Sequence, residues 1–246
     1  MNRLADQLQS AAKSMQTQLS EHPEIANAAP YTYFPLDYAW DMHVDYLNRY
    51  AQHTANVLFL GMNPGPFGMA QTGIPFGEVN NVQNWLKIHA PINTPAREHP
   101  KRPIQGLACP RSEVSGRRLW GLFRERYGSP NAFFNQHFVA NYCPLLFLNE
   151  NGRNITPDQL PAALKKEIER ICDEHLIALI RAFLPQQLVA VGQYAERAYL
   201  RILPHLKHAP TINRILHPSP ASPAANAGWA PKATQQLVAA GIWREG

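Results

Sequence analysis

Four consecutive apolar residues, Val57-Leu58-Phe59-Leu60, run directly into Gly61-Met62-Asn63-Pro64-Gly65-Pro66-Phe67-Gly68-Met69. A strand with no polar residue has no solvent face, so it must be covered on both sides, as in a parallel sheet packed between helices. The Gly, Asn and Pro residues after it force a sharp turn that exposes backbone. Open α/β sheets bind ligands outside the carboxyl ends of their strands, so Asn63 stands where chemistry is expected.

The same grammar recurs along the chain. Phe138-Val139-Ala140 reads as a second buried strand ending in Asn141-Tyr142-Cys143-Pro144, and Leu188-Val189-Ala190-Val191 as a third ending at Gly192. A less apolar fourth strand over residues 212–216 ends in His217-Pro218-Ser219-Pro220. Helical spacing of apolar residues marks residues 2–20, 80–88, 115–127, 157–183, 194–203 and 230–240. Strands alternating with helices give an α/β fold: a single three-layer α/β/α domain around a central, mainly parallel four-stranded sheet. Residues 1–30 are expected to be a helical extension packed on that domain, with residues 31–246 forming the domain itself. One geometric consequence follows without any motif. Asn63, Asn141, the Gly192 turn and His217 all follow strand ends, so they should gather along one edge of the sheet.

Composition narrows the class. An apolar share of 45% suits a globular protein, no run of about 18 apolar residues exists, and the polar amino terminus does not resemble a secretory signal. The expected location is the cytoplasm, in association with the nucleoid if the source is bacterial. Cys109, Cys143 and Cys172 lie far apart without partners at zinc-site spacing, which points to buried small hydrophobes and to no metal. Charge is unevenly spread. Residues 97–126 hold eight basic residues, among them Arg117 and Arg118, against Glu98, Glu113 and Glu125, which accounts for the whole net charge of +5. Such a basic segment beside a crevice suits a polyanion, although a solvated helix face explains it equally well.

Aromatic residues crowd residues 31–50 and read as core rather than as base-stacking surface. Gln71-Thr72-Gly73-Ile74-Pro75-Phe76-Gly77 forbids regular structure and holds Phe76 in a loop, where it can line a pocket. The expected sheet edge therefore offers two amides, one imidazole and a ring, with no carboxylate, Lys or Ser nucleophile at the strand ends. Neither the dinucleotide-binding glycine fingerprint nor a Walker lysine is present. An Asn amide that donates to a carbonyl and accepts from an adjacent ring N–H reads the edge of uracil and not of cytosine, and a Phe can stack on its face. His217 can stabilise charge on a departing heterocycle, and Asn63 can hold a water.

The eighteen residues from Gly61 to Glu78 resemble the first motif of the single-strand-selective monofunctional uracil-DNA glycosylases. His217-Pro218-Ser219-Pro220, with Ala224-Ala225-Asn226-Ala227-Gly228-Trp229, is similar to the second, and Asn141 to Leu148 lies between them in the family's order. The resemblance runs from about Tyr38 to the last helix. It implies a glycosylase that removes uracil and several 5-substituted uracils from single- and double-stranded DNA, leaving an abasic site, without a cofactor or obligatory protein partner and as a monomer. By motif position Asn63 orients the attacking water and His217 assists departure of the base. Phe76 stacks, Asn141 reads the base, and Met62 and Gly65 line the pocket. Gly65 leaves room for substituents at C5 of the ring.

The loop after His217 resembles the family's DNA-inserting wedge, formed here by Ser219, Pro220 and Ala221. An Arg commonly stands in that loop, whereas this chain carries no charge between Ser219 and Gly228. The implied consequence is slower excision from duplex than from single strands, with Arg117 and Arg118 supplying DNA contacts instead. Three other readings stay open: action on hypoxanthine or xanthine, a lesion-binding module that does not cleave, and a thiol hydrolase built on Cys143 and His217.

Overall fold

The computed structural model describes residues 3–245. Seven strands occur among them: β1 (Tyr31–Tyr33), β2 (Val57–Gly61), β3 (His137–Asn141), β4 (Leu146–Leu148), β5 (Asn154–Ile155), β6 (Gln187–Val191) and β7 (Thr211–Ile215). Four of them make a sheet in the order β3-β2-β6-β7, parallel throughout. Every residue of β2 and β3 is buried, as strands with helices on both faces require, while the edge strand β7 alone is largely solvated. With its helices this is the three-layer α/β/α architecture that the alternation of elements implies.

Register places the site. Gly61 pairs with Asn141, Leu60 with Ala190, and Val191 with Ile215, so the carboxyl ends of all four strands come level. The turns carrying Asn63, Asn141, Gly192 and His217 therefore leave the sheet side by side. Gly192, at φ +94, accepts a backbone geometry that a side chain would resist, and a Cβ there would press within 3.0 Å of the His217 Cβ.

The aromatic segment is core. Tyr33, Tyr38, Tyr46 and Tyr50 are buried, and their hydroxyls donate to carbonyls of distant segments: Tyr46 to Val139 at 2.8 Å and Tyr38 to Ala70 at 2.5 Å. Each buried hydroxyl thereby meets a partner, and the four tie the segment to β3, to the first motif and, through Tyr33 and Tyr50, to the carbonyls of Arg102 and Leu86. The helix Arg3–Glu21 packs Leu8, Met15 and Leu19 toward the helices Ala162–Phe183 and Trp40–Tyr50; the expected start at residue 2 lies outside the described residues.

Several expected elements change. The helix expected from residue 157 begins at Ala162, because Pro161 drives Leu160 to an extended ψ of 158 and leaves only a short 3-10 turn, Pro157–Gln159, ahead of it. The helix expected over residues 80–88 is Val79–Asn84, and Lys87 at φ +54 has left the helical region. The three-stranded antiparallel sheet β1-β4-β5 has no counterpart in the sequence reading, since strands of two or three residues show no alternation to detect.

Candidate active site

Met62, Asn63, Gly65, Phe76, Asn141, His217 and Ser219 line one cavity of about 190 Å³ at the level strand ends. That volume suits a single flat ring; pockets for drug-sized ligands run about 300–1,000 Å³. Six of these seven positions come from the β2 turn, the end of β3 and the loop after β7, and Phe76 from the loop near the far end of the first motif. A larger groove elsewhere, between the helices Val114–Tyr127 and Trp229–Ala239, contains none of them.

Close approach of backbone explains the glycine that opens the motif. A Cβ on Gly61 would overlap both Asn141 Oδ1 and the edge of the Phe76 ring. The ring sits on the end of β2 only because that position is bare. Phe76 is held at φ +52, an uncommon conformation for a bulky residue, by a loop in which Thr72 Oγ1 donates to the Gly77 carbonyl at 2.9 Å and Trp120 Nε1 to the Pro75 carbonyl at 3.2 Å. Its ring centroid lies 6.4 Å from that of His217.

The polar atoms are oriented. Asn63 Nδ2 points at the Pro64 and Leu145 carbonyls, each 3.4 Å away, so Oδ1 is the atom left to accept from a water. Asn141 is buried, with Nδ2 3.1 Å from Met69 Sδ, a weak acceptor that a carbonyl oxygen of a ligand can displace. The Ser219 amide donates to His217 Nδ1 at 3.1 Å, which leaves the ring proton on Nε2. Burial lowers the His217 imidazole to about 4, so near pH 7 it is a neutral N–H donor.

A carboxylate does reach the pocket, contrary to the expectation from the strand ends. Glu113 lines it from the residue preceding the helix Val114–Tyr127, without capping that helix through its side chain. Burial, and secondly the charge of Glu78, push it up to about 7. Ser115 from the same helix start, Met69, and Asn154 and Thr156 around β5 also line it. Glu113, Ser115, Asn154 and Thr156 do not follow a strand of the parallel sheet, and Met69 lies at the far end of the β2 turn, which is why the strand-end argument misses them.

The two candidate DNA-contacting arginines differ. Arg117 is exposed and its Nη1 donates to Ser112 Oγ at 3.2 Å, whereas Arg118 turns under the wedge loop. Arg118 Nη1 donates to the carbonyls of Pro218 at 3.0 Å and Ser219 at 3.4 Å, and Nη2 to Asn226 Oδ1 at 2.9 Å. Asn226 in turn donates to the Pro220 carbonyl at 2.8 Å. The uncharged loop thus rests on a guanidinium from another element. Elsewhere in the basic segment, Arg111 and Arg102 stack over Phe67 at 4.1 and 5.3 Å, holding two positive charges against the first-motif turn.

Cys143 is fully buried and outside the pocket lining, with Cys172 beside it, so it has no path to a substrate. Among the described residues no group of three or more His, Cys, Asp or Glu is placed to hold a metal, and no helix is long and apolar enough to cross a membrane.

Comparison with known proteins agrees with this geometry. A profile of the uracil DNA glycosylase superfamily matches residues 48–239. The chain is 50% identical over 210 residues to the single-strand selective monofunctional uracil DNA glycosylase of Mus musculus, across 85% of this chain and 75% of that protein. The proteins of the same name from Bos taurus and Rattus norvegicus match at 50% identity over 85% of this chain, and over 77% and 76% of their own lengths. The crystal structure of Pedobacter heparinus SMUG2 shares the fold, with a TM-score of 0.64 at 18% identity over 94% of this chain and 96% of that one. The pocket at the ends of β2, β3 and β7 is therefore built on a shared scaffold, and the chain belongs to the uracil DNA glycosylase superfamily, alongside its single-strand selective monofunctional members.

Proposed function

We propose that the protein is a monofunctional glycosylase that hydrolyses the N-glycosidic bond of uracil, and of uracils substituted at C5, flipped out of single- or double-stranded DNA. The observation that carries this reading is the joint presence in one 190 Å³ cavity of Asn63, Asn141, the Phe76 ring and a neutral His217 with its proton on Nε2. Phe76 stacks on the base while Asn141 donates to O4 and accepts from N3–H. The C1′–N1 bond breaks with its electron pair leaving on the base, and the Nε2–H of His217 stabilises the charge that gathers on O2. Water held by Asn63 Oδ1 adds to C1′ of the resulting oxocarbenium sugar, and its proton is lost to solvent. When bond breaking leads, an orienting amide suffices for the water. No Lys lines the pocket to form a Schiff base, so the product is an abasic site in an unbroken strand.

The uncharged wedge of Ser219, Pro220 and Ala221 supports slower excision from duplex than from single strands, because nothing long fills the gap left by the flipped base. Exposed Arg117 and the Phe67-braced pair Arg102 and Arg111 supply phosphate contacts, and the protein acts as a monomer in the cytoplasm. Incubation with end-labelled oligonucleotides carrying uracil, 5-hydroxymethyluracil, hypoxanthine or xanthine, single and double stranded, followed by alkali, tests the reading. Alkali-labile sites at the uracils support it. Intact strands throughout, cleavage confined to the purines, or a borohydride-trapped protein–DNA adduct would overturn it.

A further inference from the structure

Glu113 stands out because nothing in the molecule employs it. Its Oε2 is shut off from solvent and has no hydrogen-bond partner, although the side chain lines the substrate cavity. A buried carboxyl oxygen without a partner costs free energy, so its retention in a wall of the cavity calls for a partner supplied by the ligand. Space is made for it. A Cβ on Gly65 would come within 2.6 Å of Oε2, and one on Gly68 would overlap the same atom, so both glycines of the first-motif turn are bare on the side where the carboxyl lies. Neighbouring Glu78 shows what a satisfied carboxylate looks like here: it accepts from Ser112 Oγ at 2.7 Å and from the backbone and side chain of Asn81 at 3.0 and 2.7 Å.

The orientation of the base follows from the proposed roles of its other partners, so the inference rests on the uracil reading above. With His217 at O2 and Asn141 at N3–H and O4, the ring atom across from C2 is C5. That edge is left to the rest of the lining, which includes Gly65 and Glu113. We propose that Glu113 is a specificity-determining residue whose carboxyl hydrogen-bonds an oxygen-bearing substituent at C5 of the flipped base, such as the hydroxyl of 5-hydroxymethyluracil. A protonated carboxyl both donates and accepts, which matches a hydroxyl. Burial, with the nearby Glu78 charge, keeps Glu113 protonated up to about pH 7. Above that its charge sits beside a departing base anion and slows excision. The other ionisable groups around it are neutral His217 in the same cavity lining, Arg117, whose guanidinium bonds Ser112 rather than Glu113, and Arg102 and Arg111, which stack on Phe67 in the turn beside it.

The test compares the parent protein with Glu113→Gln and Glu113→Met on single-stranded oligonucleotides carrying uracil or 5-hydroxymethyluracil, from pH 6 to 8.5. Gln keeps a donor and an acceptor without a charge; Met keeps the length and removes both. The expected result is that Met lowers the 5-hydroxymethyluracil-to-uracil ratio of kcat/KM by about tenfold, one lost hydrogen bond, while Gln preserves the ratio and flattens the decline above pH 7. An unchanged ratio in the Met variant overturns the proposal, whether or not both rates fall together. So does a parental pH decline that persists in the Gln variant, and this arm stands if the Met variant fails to fold. A parent protein that releases neither base would instead overturn the glycosylase reading.

Discussion

The Ser219 amide and Nδ1 of His217 are 3.1 Å apart, and that one hydrogen bond decides what the imidazole can do. It fixes the proton on Nε2, and burial keeps the ring from acquiring a second one until about pH 4. On the proposed mechanism, stabilisation of the base anion would therefore come from a fixed neutral donor. Loss of one such donor costs about 10²–10³-fold in kcat. His217→Ala should lose that much in single-turnover formation of abasic sites, and His217→Gln, which keeps an N–H, should lose less. A rate in the parent protein that collapses on acidification with a midpoint near 6.5 and tracks His217 would contradict the neutral-donor role.

Asn63 has a narrower task. With Nδ2 committed to backbone carbonyls, Oδ1 can hold the water over C1′, and a misplaced water costs about 10²-fold. Asn63→Ala is expected to lose roughly that factor in kcat with little change in KM, since the base is held by other groups. Full activity in a folded Asn63→Ala protein would remove the residue from the mechanism.

How much of this was legible in the sequence depends on what carries each residue. Asn63, Asn141 and His217 were readable because each follows an apolar strand of a parallel sheet, and register alone then brings them together. Phe76 was readable from the Gly and Pro residues around it. Glu113 was not. It enters from a helix start far from any strand of that sheet, and its place depends on Gly65 and Gly68 being bare, which shows only in three dimensions. Arg118 carries the same lesson. Its charge looked like one of a solvated or DNA-facing cluster, yet its hydrogen bonds run to the wedge loop about a hundred residues away. The short strands of the second sheet leave no periodic trace at all.

Gly61 offers a test of the pocket that touches no polar group. A methyl there collides with the Phe76 ring and with Asn141 Oδ1, and overpacking of this kind costs typically 1–3 kcal/mol when the neighbours must move. Gly61→Ala is expected to raise KM for uracil-containing single strands by about tenfold or more, with a circular-dichroism spectrum like the parent's. Unchanged KM would mean that Phe76 and Asn141 do not jointly grip the base.

The two adjacent arginines should separate in a salt titration. Arg117 is exposed and free to meet a phosphate, so Arg117→Ala should reduce the slope of log K for single-stranded DNA against log salt by about 0.7, one contact's worth. Arg118 braces Pro218, Ser219 and Asn226, so Arg118→Ala should lower kcat by about tenfold while leaving the salt slope as it was. Arg118→Lys should not rescue, because one ammonium lacks the planar fork that spans these acceptors. A reduced salt slope in Arg118→Ala would instead place its guanidinium on DNA.

Acid should destabilise the fold through histidines. Burial lowers His43, His137 and His217 to about 4 and His175 to about 3 from an ordinary 6.5. The unfolded chain takes up those protons first, so stability is present above pH 6.5 and is lost as the pH falls through that value toward 4. Glu113 acts with the opposite sign, since its raised value makes stability greatest below about 4.5 and lost as the pH rises through about 7. Four imidazoles oppose two carboxyls, Glu113 and Asp37, whose value burial also raises. For a fully buried ring such as His43, a shift from 6.5 to about 4 amounts to roughly 3 kcal/mol, so the imidazoles win. The melting temperature should be lower at pH 4.5 than at pH 7, and His175→Gln should narrow that gap; a melting temperature that is level or higher at pH 4.5 would show that these rings do not govern acid stability.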